Sequence, residues 1–294
     1  MPFRITDVRA HPGDSAFLLD DGTTAVLYDT GFAFTGSAVA DKIQNILGER
    51  PLDWILLTHS HYDHAAGTPY ICARYPGVKV AAGAYAKKIF EKPSARSAMW
   101  ELDRSFAAEC GAPEVENRLD ELRVDLPVTD GDTVQAKTMT FTALELPGHT
   151  KCSVGYYLAS EKLLLSSETL GVYDGESSVV PSCLVGYRMA LDSIAKVEKL
   201  GAERILLPHF GVLDREKTAF YLSLCRPNLV ETAEAMTEIL RSGGSYADAL
   251  AWFREKYYHG IIQSVYPEKA MELNTGIMIR LLEKELLQNG GNLV

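Results

Sequence analysis

Three of the seven histidines stand within six residues, in Thr58-His59-Ser60-His61-Tyr62-Asp63-His64, directly after the apolar run Trp54-Ile55-Leu56-Leu57. Imidazole nitrogens and carboxylate oxygens bind zinc, iron and manganese well. A rigid strand that ends in a short loop can aim several such donors at one point, so His59, His61, Asp63 and His64 are candidate metal ligands. Any single histidine is more often a hydrogen-bonded core residue or a solvated one. Three with an aspartate at this spacing, beside a strand end, favour the metal.

Further donors share the same address. His149 follows the strand pattern Thr140 to Leu146, within Pro147-Gly148-His149-Thr150; Glu168 follows Leu163-Leu164-Leu165; His209 follows Ile205-Leu206-Leu207. In an α/β sandwich the loops after strand ends gather on one edge and commonly build the site. Taken alone, His149 or His209 could equally be structural. Their agreement in position makes both candidate ligands together with Glu168.

The elements that must carry these residues are readable from pattern. Ala16 to Leu19 and Thr24 to Tyr28 flank Asp20-Asp21-Gly22, a hairpin signal. Helical spacing of Val39, Ile43 and Ile46 predicts a helix from about Ser37 to Leu47. A helix is predicted over Gly67 to Tyr75 and a strand over Val78 to Ala82, and residues 84–123 read as helices inserted over the body. Val154 to Leu158 and Lys162 to Leu165 form a second hairpin, and a helix near Met189 to Leu200 leads into the strand before His209. From Asp214 onward helix-period patterns dominate, over Phe220–Leu240, Tyr246–Tyr257 and Pro267–Gln288, with Ser245 as a cap. The division expected is a catalytic body over 1–213 and a helical C-terminal cap or extension over 214–294.

Composition narrows the partners. A net charge of −10 argues against nucleic acid, which needs a basic face. The five cysteines are scattered and odd in number, with no C-x-x-C pair, as in a reducing compartment. Residues Met1 to Asp7 have no apolar signal region, and no apolar stretch approaches the ~20 residues that span a bilayer. A cytoplasmic protein without a membrane partner is expected, acting on a small molecule. The last helices carry Ile277, Ile279, Leu281, Leu282 and Leu286, which either pack on the body or form a homodimer interface.

The order H-x-H-x-D-H, P-G-H-T, a carboxylate before Thr-Leu and a late strand-end histidine resembles the metallo-β-lactamase superfamily. Asp29-Thr30-Gly31 and Asp130-Gly131-Asp132 belong to the same pattern, and the resemblance covers about residues 10–215. It implies an αββα sandwich and two divalent ions, zinc most commonly, with iron or manganese as alternatives. One ion would be held by His59, His61 and His149, the second by Asp63, His64 and His209. Glu168 stands where the family has a bridging aspartate, a departure that leaves open whether it bridges, binds one ion or alters the spacing. The implied activity is a metal-dependent hydrolase whose metal-bound hydroxide cleaves an ester-type bond: thioester, lactone or carboxylic ester first, phosphodiester second. Asp63 would be a ligand and could shuttle a proton; Asp29 reads as supporting structure, and Thr150 either fixes the His149 loop or is a plain turn residue.

Tyr62, Tyr173 and Phe210 are candidate pocket walls, each of which could instead be packing. His259 reads as a surface residue and His11 as structural. A di-iron redox protein is the different-class alternative; His61 speaks against it, since di-iron reductases of this fold tend to have Glu there. A non-catalytic metal-bound sensor is the third reading.

Overall fold

The Asp20-Asp21-Gly22 turn closes as a hairpin because its own side chains satisfy the turn amides: Gly22 N donates to Asp20, and Thr23 N and Thr24 N donate to Asp21. In this computed structural model, which describes residues 2–290 and 293, strand β1 (Arg4–Asp7) pairs with β2 (Phe17–Asp20), and β2 pairs with β3 (Ala25–Tyr28), both antiparallel. Contacts divide the chain into two units, residues 1–145 with 152–167, and residues 146–151 with 168–294.

In the first unit β3 leads through helix α1 (Ala33–Leu47) to β4 (Trp54–Leu57). That strand leads through α2 (Tyr62–Ala65) and α3 (Thr68–Arg74) to β5 (Lys79–Gly83). Helices α4 (Ala84–Phe90) and α5 (Pro93–Glu109) then precede β6 (Leu126–Val128), and β3 to β6 run parallel in one sheet. Parallel strands need such crossovers and are covered on both faces, which is why β3 and β4 read as unbroken apolar runs. One face of this sheet (Leu18, Leu27, Ile55, Leu57, Val80) buries against Val39, Ile43 and Leu47 of α1 and Ile71 of α3.

A second sheet in the same unit is an antiparallel meander of β7 (Thr133–Ala136), β8 (Met139–Glu145), β9 (Val154–Leu158) and β10 (Leu163–Leu165). Tyr156 of β9 is fully buried and its hydroxyl donates to the carbonyls of Leu57 and Ala81, so the meander faces the first sheet. Lys162 takes positive φ between β9 and β10, so the strand starts one residue later than its pattern predicts.

Helix α1 begins four residues ahead of the expected Ser37. Its first amides, which have no partner within the helix, are capped from far away: Ala33 N and Phe34 N donate to Asp103, and Phe32 N donates to Asp14. Ile46 is exposed, and Ala40 and Leu47 complete the buried face instead.

The second unit opens with the loop 146–151 and a short turn, Glu168–Leu170. A two-stranded ribbon, β11 (Val172–Tyr173) with β12 (Val179–Val180), precedes α6 (Tyr187–Leu200). The hairpin β13 (Arg204–Leu207) with β14 (Gly211–Leu213) follows, then α7 (Arg215–Arg241), α8 (Tyr246–Tyr257), α9 (Ile261–Val265) and α10 (Glu268–Leu282), which continues as a π-helical turn over Glu283–Gln288. Ser245 caps α8 reciprocally with Asp248, as its sequence predicts. Ile279 and Leu282 are buried within this unit, whereas Ile277, Leu281 and Leu286 are half-buried. Among the described residues no helix is long and apolar enough to cross a membrane.

Candidate functional site

The first cluster grows from the end of β4. Thr58 N donates to Asp29 Oδ1, and Thr58 Oγ1 and Ser15 Oγ donate to Asp29 Oδ2, so a wholly buried carboxylate fixes where the strand ends. Asp29 itself takes positive φ, a conformation uncommon outside glycine and concentrated at functional positions. Thr30 next to it donates both its N–H and its hydroxyl to the carbonyl of His64. His64 Nδ1 meets Asp29 Oδ2 at 2.8 Å. With the proton on Nδ1, the Nε2 lone pair is the one directed at a prospective ion.

Around it the other donors of this unit gather. The His59 ring lies 4.6 Å from that of His61 and 4.0 Å from that of His64, centroid to centroid. His59 Nδ1 is engaged by Thr58 Oγ1, and His64 Nε2 lies 3.5 Å from Asp63 Oδ2. His59 and His64 are buried and His61 is half-buried at the N-cap of α2, whose single turn carries Asp63. The structure thus brings His59, His61, Asp63 and His64 into one group. Tyr62 packs its ring on Phe32 and is half-buried.

The second cluster lies wholly in the second unit. His149 is fully buried; its Nδ1 lies 2.9 Å from Ser182 O and 2.8 Å from Ser182 Oγ, and its Nε2 lies 2.8 Å from Glu168 Oε2. His209 Nε2 lies 3.0 Å from the other oxygen, Glu168 Oε1. Burial alone would push the Glu168 carboxyl up, yet the charge and hydrogen bonds of His149 and His209 hold it well below the usual carboxylate range. His209 has positive φ at the tight connection from β13 to β14.

Several supporting residues carry no local signal in the sequence. Thr169 accepts from His149 N and donates to Leu146 O, tying the histidine loop to the turn that holds Glu168. Ser182 reaches His149 from 33 positions away. Thr58 and Ser15, which both contact Asp29, carry no such signal either. Of the pocket candidates in this unit, Tyr173 is buried between Phe210 and Tyr221, while Phe210 is half-buried beside His209. His259 is exposed, and His11 sits among Phe32, Phe34 and Phe106.

A family model described as the metallo-β-lactamase superfamily matches residues 13–209. The chain is 32% identical over 153 residues to a hydroxyacylglutathione hydrolase from Stenotrophomonas maltophilia, an alignment covering 52% of this chain and 44% of that protein. To a hydroxyacylglutathione hydrolase from Nitrobacter winogradskyi it is 26% identical over 239 residues, 76% of each chain. Among solved structures, a metallo-β-lactamase family protein from Thermus thermophilus is similar in fold, with TM-score 0.60 at 20% identity over 94% of this chain and 88% of that one. The match to the Stenotrophomonas protein reaches less than half of its length.

Proposed function

Since this chain belongs to the metallo-β-lactamase superfamily, with its mixed α/β fold of two sheets and a helical C-terminal region, we propose that it is a metal-dependent hydrolase acting on an acyl thioester of a small molecule. In this reading His59, His61 and His149 would hold one divalent ion and Asp63, His64 and His209 a second, with Glu168 able to serve both. The observation that carries it is Glu168: one carboxylate oxygen lies against His149 and the other against His209. A ligand shared by two ions needs that placement.

The donor chemistry fits such ions. His64 and His149 direct Nδ1 to Asp29 and Ser182 respectively, which leaves Nε2 as the ligand atom, and the carboxylates of Asp63 and Glu168 supply charge. Zinc is the first expectation by family, and the second carboxylate suits iron or manganese. When bound, divalent ions polarise the scissile carbonyl and acidify a water. Of the two carboxylates Asp63 is the more exposed, at 21% against 11% for Glu168, so it is the better placed to pass a proton to a departing group. A departing thiol ionises near pH 8.5 and needs little such help. The relatives named for hydroxyacylglutathione hydrolysis support a thioester ahead of a lactone or carboxylic ester. A net charge of −10 supports a small substrate over nucleic acid. Tyr62 and Phe210, both half-buried, are the pocket walls in this reading, and Tyr173 backs Phe210.

The test is metal content of protein purified without added metal, together with turnover of a hydroxyacyl-glutathione thioester, a lactone and a phosphodiester reporter. Two ions per chain and preferential thioester turnover, lost in His61→Ala at unchanged fold, is the expected result. Turnover of the phosphodiester alone, or bound iron with no hydrolysis of any reporter, would overturn it in favour of the phosphodiesterase or the redox reading.

A further inference from the structure

Helix α6 has no side-chain cap of its own, because its N-cap is Gly186. The cap comes from the far end of the chain: Tyr187 N, the first amide of the helix, donates to Glu285 Oε2 at 3.1 Å. A carboxylate is favoured there both by the unsatisfied amides and by the positive end of the helix. The same residue is held a second time, since the Tyr187 hydroxyl donates to Leu293 O at 2.6 Å. Tyr187 is among the largest fully buried side chains of the protein, so Glu285 and Leu293 hold α6 by a residue that has no room to move.

The start of α6 in turn grips the loop of His149. Leu184 N and Val185 N both donate to Gly148 O, at 2.9 and 3.0 Å, and Ser182 engages His149 Nδ1 through its carbonyl and its hydroxyl. Further along α6, Ser193 Oγ donates to Pro147 O, and a Cβ on Gly148 would lie 2.7 Å from Ala190 Cα. Loop 146–151 is therefore seated against α6 and the segment that leads into it. The aim of the His149 imidazole depends on where that segment stands.

We infer that Glu285 is a positioning residue for His149: by capping α6 it fixes the segment 182–186, which orients the imidazole as a metal ligand. The C-terminal helical region then acts as a brace for the metal centre. The inference rests on the proposed role of His149 as a ligand. A partner that touches a ligand directly commonly weakens metal binding by about 10- to 100-fold when lost; Glu285 acts through Tyr187 and the segment 182–186, so the lower end of that span is its ceiling.

The experiment compares chelator-driven metal release from wild type, Glu285→Ala, Glu285→Gln and Thr232→Val, with the thermal midpoint of each metal-free protein. Thr232→Val removes a buried hydroxyl pair with Tyr257 and so lowers stability while keeping the Glu285–Tyr187 bond. Glu285→Ala is expected to release metal faster, by up to about tenfold. Glu285→Gln keeps an acceptor for Tyr187 N and should stay near wild type, and Thr232→Val should release at the wild-type rate. Should Glu285→Ala fail to fold, Glu285→Asp, which draws the carboxylate back from Tyr187 N by one methylene, carries the same test at smaller amplitude. Release from Glu285→Ala at the wild-type rate, or equal acceleration by Thr232→Val, would overturn the inference while leaving His149 a ligand. A wild-type protein that binds no metal would overturn the ligand assignment and the inference with it.

Discussion

His64 Nδ1 and Asp29 Oδ2 meet at 2.8 Å with both side chains at zero exposure. The same carboxylate receives Thr58 N, Thr58 Oγ1 and Ser15 Oγ. One group thus fixes the tautomer of a prospective ligand and the end of the strand that carries the others. Asp29→Asn keeps the shape but replaces one acceptor oxygen by a donor, setting its NH2 against hydrogen atoms that need an acceptor. Metal affinity should fall by about 10- to 100-fold. Asp29→Ala should in addition lower the stability of the metal-free protein by about 2–4 kcal/mol, because several buried donors lose their partner. Chelator competition reads the first effect and urea unfolding of the metal-free protein the second.

Glu168 separates the roles of charge and reach. Glu168→Gln keeps length and loses charge, and should reduce bound metal below two ions per chain, read by elemental analysis after dialysis. Glu168→Asp keeps charge with one methylene less, and should retain metal. Full loss of metal from Glu168→Asp would contradict the shared-ligand placement.

The clustering of the donor side chains is legible because metal-binding chemistry resides in side-chain type, and each group follows a short apolar run bounded by turn residues, which the structure forms as strands. His59, His61, Asp63 and His64 required only local spacing to be noticed. What holds them was not legible: Ser182 and Asp103 act on residues 33 and 70 positions away, and no periodicity records such a pairing. The start of α1 lies four residues ahead of its pattern for that reason, since its amides are capped by Asp14 and Asp103 and not by a neighbour. The ribbon β11–β12 and strand β14 have two or three residues each, too few for an alternating pattern to show. Ile46 fitted the helical spacing of α1 yet faces solvent, because Leu47 completes the buried stripe one position later.

Gly148 precedes His149 with φ of +144°. A Cβ there would lie 2.7 Å from Ala190 Cα and 2.8 Å from Thr169 Cγ2, so the loop would have to lift from α6. Gly148→Ala should lower the thermal midpoint by several degrees and speed metal release. Ala190→Gly in the same protein opens part of that space, so the double variant should recover some metal retention but not the φ strain. A Gly148→Ala protein with wild-type metal release would show that the loop is not seated as described.

Asp103 gives a pH dependence with a definite sign. Burial pushes its carboxyl up to about 7, against the pull of the Ala33 and Phe34 amides that donate to it. The folded protein therefore keeps this proton over a range in which the unfolded chain, with a carboxyl near 4, has released it. Between those values the folded state binds more protons than the unfolded state, so this group makes stability fall as pH rises from about 4 to about 7, and adds no further change above. The span corresponds to at most about 4 kcal/mol. Asp103→Asn cannot ionise, so the stability of wild type minus that of Asp103→Asn should decline across this window and then level off. Unfolding must be followed in the metal-free protein, so that loss of metal does not contribute to the difference. A difference that is flat from pH 4 to 8 would mean that Asp103 ionises in the fold as readily as in the open chain, and that its two amide contacts offset its burial.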